Sequence, residues 1–312
     1  MDSLDKKPLA PLSAAAEALL PDSEQKIRCS VFTSELDVNP AGTAITAACV
    51  ILIDTPLPWP KPVFQHDYLA GVANKGVDRS GQPVRVLATV PRFGRESSAY
   101  AFRRTAEGTV AARLPLAGRS AADVVDTLVS VDDPTTLDGA EPLDPRAVLV
   151  CTQGSHDVCC GSEGTRLADQ VLSDYRLAGI TLFRVSHTGG HRFAPTAMTF
   201  PDGRMWAYAT VDDLSMVFSH AGSPRDLAAR CRGSWEAPTP RCQAAEVAAW
   251  AGGGWDLGPA EFEDDDDVVR VIRDGGSVDV RVTISRDIPV IRCRAEGGLP
   301  AKPSVEFAAQ VL

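Results

Sequence analysis

Unbroken apolar runs, alternating stretches and proline- or glycine-rich breaks divide this chain into elements. AACVILID (47–54) is apolar over the length of a strand, and the prolines of TPLPWPKP (55–62) end it. VRVLATV (84–90) is a second strand of the same kind, and SAYAFRR (98–104) with TVAARL (109–114) form a predicted hairpin. Ser120 is placed to cap a helix over 121–130. After a polar, turn-rich segment (132–145), AVLVC (147–151) is a short buried strand. Leu167, Val171, Leu172 and Tyr175 recur at helical spacing and predict a helix over 163–177, capped by Ser162. ITLFRVS (180–186) is the next strand and ends at His187. AMTF (197–200) and MWAYATV (205–211) are joined by Pro201, Asp202 and Gly203, which suit a tight turn, and a helix over 212–220 follows. Two helical stretches, 223–231 and 239–251, lead to a hairpin of 268–273 with 277–285. In its second strand Val278, Val280, Val282 and Ile284 alternate with polar residues around the turn Asp274, Gly275 and Gly276.

The expected architecture is α/β: a leader (1–27) with a short helix over 14–20, a first unit (28–140), a second unit (146–220) and a C-terminal extension (221–312) of helices and a β-hairpin. The second unit runs strand, loop, helix, strand, then hairpin and helix, an order that resembles a thioredoxin-like fold. Length agrees, since 312 residues suggest two domains. With 44% hydrophobic and 23% charged residues the chain has a globular composition, which excludes wholesale disorder.

Charge and targeting signals narrow the function classes. Lys and Arg number 31 against 41 Asp and Glu, a net charge of −10, and no basic block offsets it, so nucleic acid is not an expected partner. No apolar run is long enough for a membrane span, and the charged start lacks the pattern of a secretory signal, so a cytoplasmic location is expected. The acidic run 263–267 reads as a solvated loop, with docking of a basic redox partner as the alternative.

Eight cysteines in such a chain are not expected to be a disulfide framework. Cys49 lies in an apolar run and reads as a small buried hydrophobe, and Cys29 is isolated in sequence. CTQGSHDVCCG (151–161) and HTGGHRF (187–193) are different. They hold Cys151, Cys159 and Cys160 and three of the five histidines, His156, His187 and His191. Cys151 and His187 end predicted neighbouring strands, where open α/β folds build their sites. Gly189 and Gly190 favour a loop that turns both flanking imidazoles to one point. Two thiolates and two imidazoles suit zinc, although the eight-residue gap is wider than in zinc fingers. They also suit an iron–sulfur cluster. Cysteine–histidine nucleophilic catalysis lacks an orienting third group, and thiol–disulfide exchange lacks a C-x-x-C motif. The remaining possibility is ordinary buried thiols and loop histidines.

CTQGSHDVCCG followed by HTGGHRFAPTAMTFPDG resembles the sucrase/ferredoxin-like family, as do segments 29–60 and 241–255. The resemblance implies a thioredoxin-like ferredoxin with a 2Fe-2S cluster held by Cys151, Cys160, His187 and His191, with Cys159 as the alternative to Cys160. It implies a one-electron carrier rather than a stand-alone enzyme, with electron and proton uptake coupled through the imidazoles. The alternatives are a structural zinc protein and a thiol-based redox enzyme using Cys159 or Cys160. Glycoside hydrolysis finds no support, because no motif singles out a carboxylate pair. No dinucleotide fingerprint is present, so the expected partner is a separate redox protein, a reductase or acceptor. Around the site, Asp157 is read as a turn residue or ligand support, Arg192 as a surface or charge-balancing cation, and Trp59, Trp206 and Tyr208 mainly as packing residues.

Overall fold

The computed structural model describes residues 9–255 and 258–312; residues 1–8, the start of the expected leader, lie outside the described residues. Two short helices, α1 (Ala14–Glu17) and α2 (Cys29–Glu35), precede β1 (Cys49–Asp54), β2 (Lys75–Val77), β3 (Pro83–Thr89), β4 (Ser98–Thr105), β5 (Gly108–Pro115), α3 (Ala121–Val129) and β6 (Glu141–Leu143). Then come β7 (Ala147–Cys151), α4 (Thr165–Ser173), β8 (Thr181–Val185), β9 (Ala197–Phe200), β10 (Arg204–Trp206), α5 (Val211–Ser219), β11 (Cys231–Ser234) and α6 (Pro240–Gly253). The chain finishes with β12 (Glu261–Asp265), β13 (Val268–Arg273), β14 (Gly276–Val290) and β15 (Lys302–Val311).

The first eleven strands form one mixed sheet in the order β11-β10-β9-β7-β8-β3-β1-β4-β5-β6, with β2 added against β3. The order repeats itself. In each half the first strand (β1 or β7) is central, the second (β3 or β8) is parallel to it on one side, and an antiparallel hairpin (β4–β5 or β9–β10) lies on the other. The halves meet where β3 and β8 pair antiparallel at Thr89 and Val185. The connections differ, because β1 reaches β3 through two 3-10 turns (Val63–Gln65 and Asp67–Leu69), whereas β7 reaches β8 through α4.

Both faces of the central strands are covered, which is why they read as continuous apolar runs. Ile51 and Ile53 pack with Val124 and Leu128 of α3, while Val50 and Leu52 face a second layer with Tyr100, Phe102, Phe183 and Trp235. Ser120 caps α3 as expected, its hydroxyl accepting the Asp123 N–H at 3.1 Å. Trp59 is a packing residue, donating its indole N–H to the Thr55 carbonyl at 2.9 Å.

Some expectations fail for identifiable reasons. The helix after β7 is not capped by Ser162; it opens as a π-helical turn, Cys160–Gly164, and α4 proper starts at Thr165. Leu172 and Tyr175 are 70% and 86% exposed: Leu172 lies in α4 but off its buried stripe of Leu167, Ala168 and Val171, and Tyr175 falls after the helix ends at Ser173. The stretch 223–231 is two 3-10 turns. The C-terminal hairpin is half of a four-stranded antiparallel sheet, β12-β13-β14-β15, with Val269, Val271, Val280 and Val282 in the core that also contains α6. A shift in register between Ile284 and Arg286 leaves Ile284 exposed despite the alternation. The acidic run is not a free loop: it closes β12 and the turn to β13, with Asp264 and Asp267 paired to Arg241 and Arg281 at 2.9 and 3.3 Å.

Asp54, at the end of β1, gives a pH-dependent prediction. Its carboxyl accepts the Ser98 N–H at 2.9 Å, yet burial pushes its pKa up to about 6. The folded state then holds this proton more tightly than the unfolded chain, so stability falls as pH rises towards 6 and the loss persists above it. Asp54→Asn removes this contribution. The difference between wild-type and variant urea midpoints is expected to change in the variant's favour between pH 4.5 and 7. A difference that does not vary with pH refutes the assignment.

Candidate metal centre

Cys151 is the last residue of β7, and its N–H is held by the Thr196 carbonyl at 3.2 Å. β8 runs parallel, with Val185 opposite Cys151, so the chain leaving β8 at His187 emerges beside the chain leaving β7. Gln153 latches the two loops together. Its carbonyl accepts the His187 N–H at 3.0 Å, and its amide donates to Pro60 at 2.8 Å. The π-helical turn then carries Cys160 back under the strand end. Such turns are rare and recur at functional sites.

A ring nitrogen of His187 and the Sγ atoms of Cys151 and Cys160 all lie within 4.8 Å of one another. Both cysteines are buried, and His187 Nδ1 is buried without a hydrogen-bond partner among the described residues. A hydrogen bond from Cys160 holds the Cys151 thiol far below its usual pKa, while the same interaction raises Cys160, so the pair readily carries one negative charge. The structure thus separates the adjacent thiols: Cys160 faces Cys151, and Cys159 turns away.

His191 stands next to this group rather than in it. Its ring centroid is 5.9 Å from that of His187, and its Nδ1 lies 3.2 Å from Asp157 Oδ2 and 3.3 Å from Cys29 Sγ. Burial alone would raise the Asp157 carboxyl, but His191 outweighs it and the pKa falls to about 2. Asp157 also accepts the Cys159 N–H at 2.8 Å, so it combines both roles read from sequence. His156 stacks on His187 with centroids 3.6 Å apart, and burial together with the His187 and Lys61 charges lowers it to about 3.

Two buried guanidiniums flank the histidines, one of them beneath the loop that joins them. Gly190 has φ +70°, and a Cβ there would come within 2.6 Å of Arg232, so glycine lets the loop lie on that side chain. Arg232 is 1% exposed and donates to the Thr43 hydroxyl at 3.0 Å, to Gly189 O at 3.3 Å and to Thr43 O. Arg192 is also buried, not on the surface, and donates to the Ser304 hydroxyl at 3.2 Å. Burial lowers each to about 10, and the Cys151 and Cys160 charges act in the opposite direction on Arg232. Both remain cationic at neutral pH, and these hydrogen bonds go to neutral oxygens.

Part of this neighbourhood carries no signal in the sequence. Cys29 is not isolated: its Sγ is 3.8 Å from that of Cys159, and Cys159 is 3.5 Å from Cys293. These partners lie 130 and 134 residues from Cys159 along the chain, so no local spacing could reveal them. Arg232 gave no signal either, because a single arginine entering a short strand looks like a surface cation. Trp206 and Tyr208 keep their packing roles, with the Trp206 indole donating to the Thr199 hydroxyl at 3.0 Å.

The donor set fits a metal or metal–sulfide group. It has soft sulfur donors and an unpartnered borderline nitrogen, buried but next to partly exposed imidazoles. Among the described residues, no helix is long and apolar enough to cross a membrane. In comparisons with known proteins, the family model described as sucrase/ferredoxin-like matches residues 40–232. No curated protein and no solved structure gives a significant match.

Proposed function

Because the chain belongs to the sucrase/ferredoxin-like family, we propose that it is an electron carrier holding a 2Fe-2S cluster through Cys151, Cys160, His187 and His191. The repeated strand order of the large sheet supports reading each half as a thioredoxin-like unit, with the cofactor in the second. The single observation that carries the functional reading is the donor set. Two buried thiols and an unpartnered buried imidazole nitrogen meet at adjacent strand ends, with a further imidazole beside them.

When bound, the cluster supplies reversible one-electron transfer at a potential raised by its nitrogen ligands. The protein's own groups do the rest. Asp157 accepts the Nδ1–H of His191, which fixes that tautomer and leaves Nε2 as the donor. Gln153 holds the two loops in register and Arg232 fixes the histidine loop at Gly189 before any ligand arrives. The buried charges of Arg232 and Arg192 favour the state with one more electron. Both ligand histidines are partly exposed, so a proton can pass between solvent and a ring nitrogen. The electron donor and acceptor are then separate proteins.

Anaerobic purification followed by iron and sulfide analysis tests this reading. About two irons and two sulfides per chain and a visible charge-transfer spectrum are expected. Cys160→Ser should abolish the spectrum and Cys159→Ser retain it. His187→Cys and His191→Cys should keep a cluster but lower its potential and flatten its pH dependence. Colourless protein with zinc in place of iron, or equal loss in both serine variants, overturns the proposal.

A further inference from the structure

We propose that Cys29, Cys159, Cys293 and Asp157 form a second metal site, for a divalent cation of the zinc class, that ties both ends of the chain to the motif loop. The four donor atoms lie within 4.8 Å of one another. Cys29 Sγ is 3.8 Å from Cys159 Sγ and 3.5 Å from Asp157 Oδ2, and Cys159 Sγ is 3.5 Å from Cys293 Sγ. Donors about 2.3 Å from a tetrahedral zinc are separated by about 3.8 Å, so these edges match a coordination shell. Cys29, Cys159 and Asp157 are buried and Cys293 is partly so.

Ordinary packing explains this cluster poorly. Free cysteines pack well as small apolar groups, but here three thiols converge with a carboxylate that stays ionised through His191 and the Cys159 N–H, which is a donor set rather than an apolar contact. The donors also come from three separate stretches: α2, the loop before the π-helical turn, and the segment after β14. Cys29 and Cys293 lie outside residues 40–232, so two of the four donors belong to parts of this chain that the family model does not describe. Backbone hydrogen bonds already bring those parts together, from Arg294 to Ile27 at 2.9 Å and from Gly297 to Gln25 at 3.1 Å. Leu12, Leu20 and Ile27 pack on the same cysteine-rich core. A cation there would cross-link the N-terminal segment, the loop and the C-terminal segment, and it would bind only the folded chain.

The two donor sets share no residue, although Asp157 and Cys29 also touch His191, so the two readings are separated through Cys151 and Cys293, which lie in one set each. The test uses the full chain, purified anaerobically with reductant and zinc, with metals measured by elemental analysis. About one zinc per chain is expected, retained in Cys151→Ser, which should lose the iron spectrum instead. Cys293→Ser should keep the iron spectrum and lose zinc affinity by more than the roughly 10–100-fold seen for outer-shell partners, and Cys29→Ser, whose thiol also lies 3.3 Å from His191 Nδ1, should lose zinc to the same degree. Cobalt titration of the wild-type chain needs no variant and should give thiolate-to-cobalt charge-transfer bands with tetrahedral d–d bands. The proposal fails if the wild type binds neither zinc nor cobalt outside the Cys151 site, or if Cys151→Ser loses zinc as completely as Cys293→Ser does. It also fails if the reduced, zinc-supplemented protein shows a Cys159–Cys293 disulfide in place of metal.

Discussion

Gly164→Ala is expected to destabilise the protein by about 3 kcal/mol or more and to prevent assembly of the cysteine site. Gly164 ends the π-helical turn, and a Cβ added there would lie 1.9 Å from Cys151 O and 3.0 Å from Cys151 C. Its backbone is ordinary right-handed helix, so the obstacle is space and not φ. The crowded atom is main chain in a strand end, held by the Cys151 N–H to Thr196 O at 3.2 Å and the Thr152 N–H to Val185 O at 3.0 Å. Neither strand nor turn can yield without moving Cys151 from Cys160. Urea unfolding and cofactor content should therefore fall together. Gly252→Ala in α6, where a Cβ meets nothing within 4 Å, is the control and should be neutral or slightly stabilising. Equal midpoints for Gly164→Ala and wild type would show that the turn has room the geometry denies.

Glu246→Ala is expected to cost about 3–5 kcal/mol, because it strands buried positive charge. Glu246 is 1% exposed on α6, 2.9 Å from Arg204 of β10 and 3.7 Å from Arg273 of β13. Its other oxygen accepts the Ser234 N–H at 2.9 Å, so one carboxylate joins the edge of the large sheet, α6 and the small sheet. Arg204 also lies over Trp250, 4.5 Å from the ring centroid, in a cavity of about 460 Å³ lined by both residues, Trp255 and Arg273. Without the carboxylate, Asp202, at 3.7 Å, is the nearest carboxylate left to offset the Arg204 charge among the described residues. Glu246→Gln keeps an acceptor for Ser234 and should fall between the two in chemical denaturation. If alanine and glutamine cost the same, the charge is not what matters there. If neither costs more than about 0.5 kcal/mol, Arg204 finds water or another anion at no penalty.

Much of the fold follows from local patterns. β1, β3, β7 and the β4–β5 hairpin are apolar or bounded by turn residues whose chemistry leaves little choice, and they form where expected within a residue or two. Errors concentrate where a local rule met a longer-range one. The apolar period that predicts a helix to 177 runs past the end of α4 at Ser173, and the alternation in β14 breaks at a register shift. β15 went unread because its partner's pairing, not its own pattern, makes it a strand.

The site divides in the same way. Residue types and strand ends alone marked Cys151, His187 and the loops around them, because a donor at the end of a parallel strand can point only to one sheet edge. They could not decide between Cys159 and Cys160. Neighbouring side chains in a helical turn point about 100° apart, and the π-helical turn sets which one meets Cys151. Nor could they bring Cys29 and Cys293 to Cys159, set Asp157 against His191, or bury Arg232 beneath the glycine loop. Those contacts join segments more than a hundred residues apart or turn on a rotamer, and only the closed chain, with its packed faces in place, selects them.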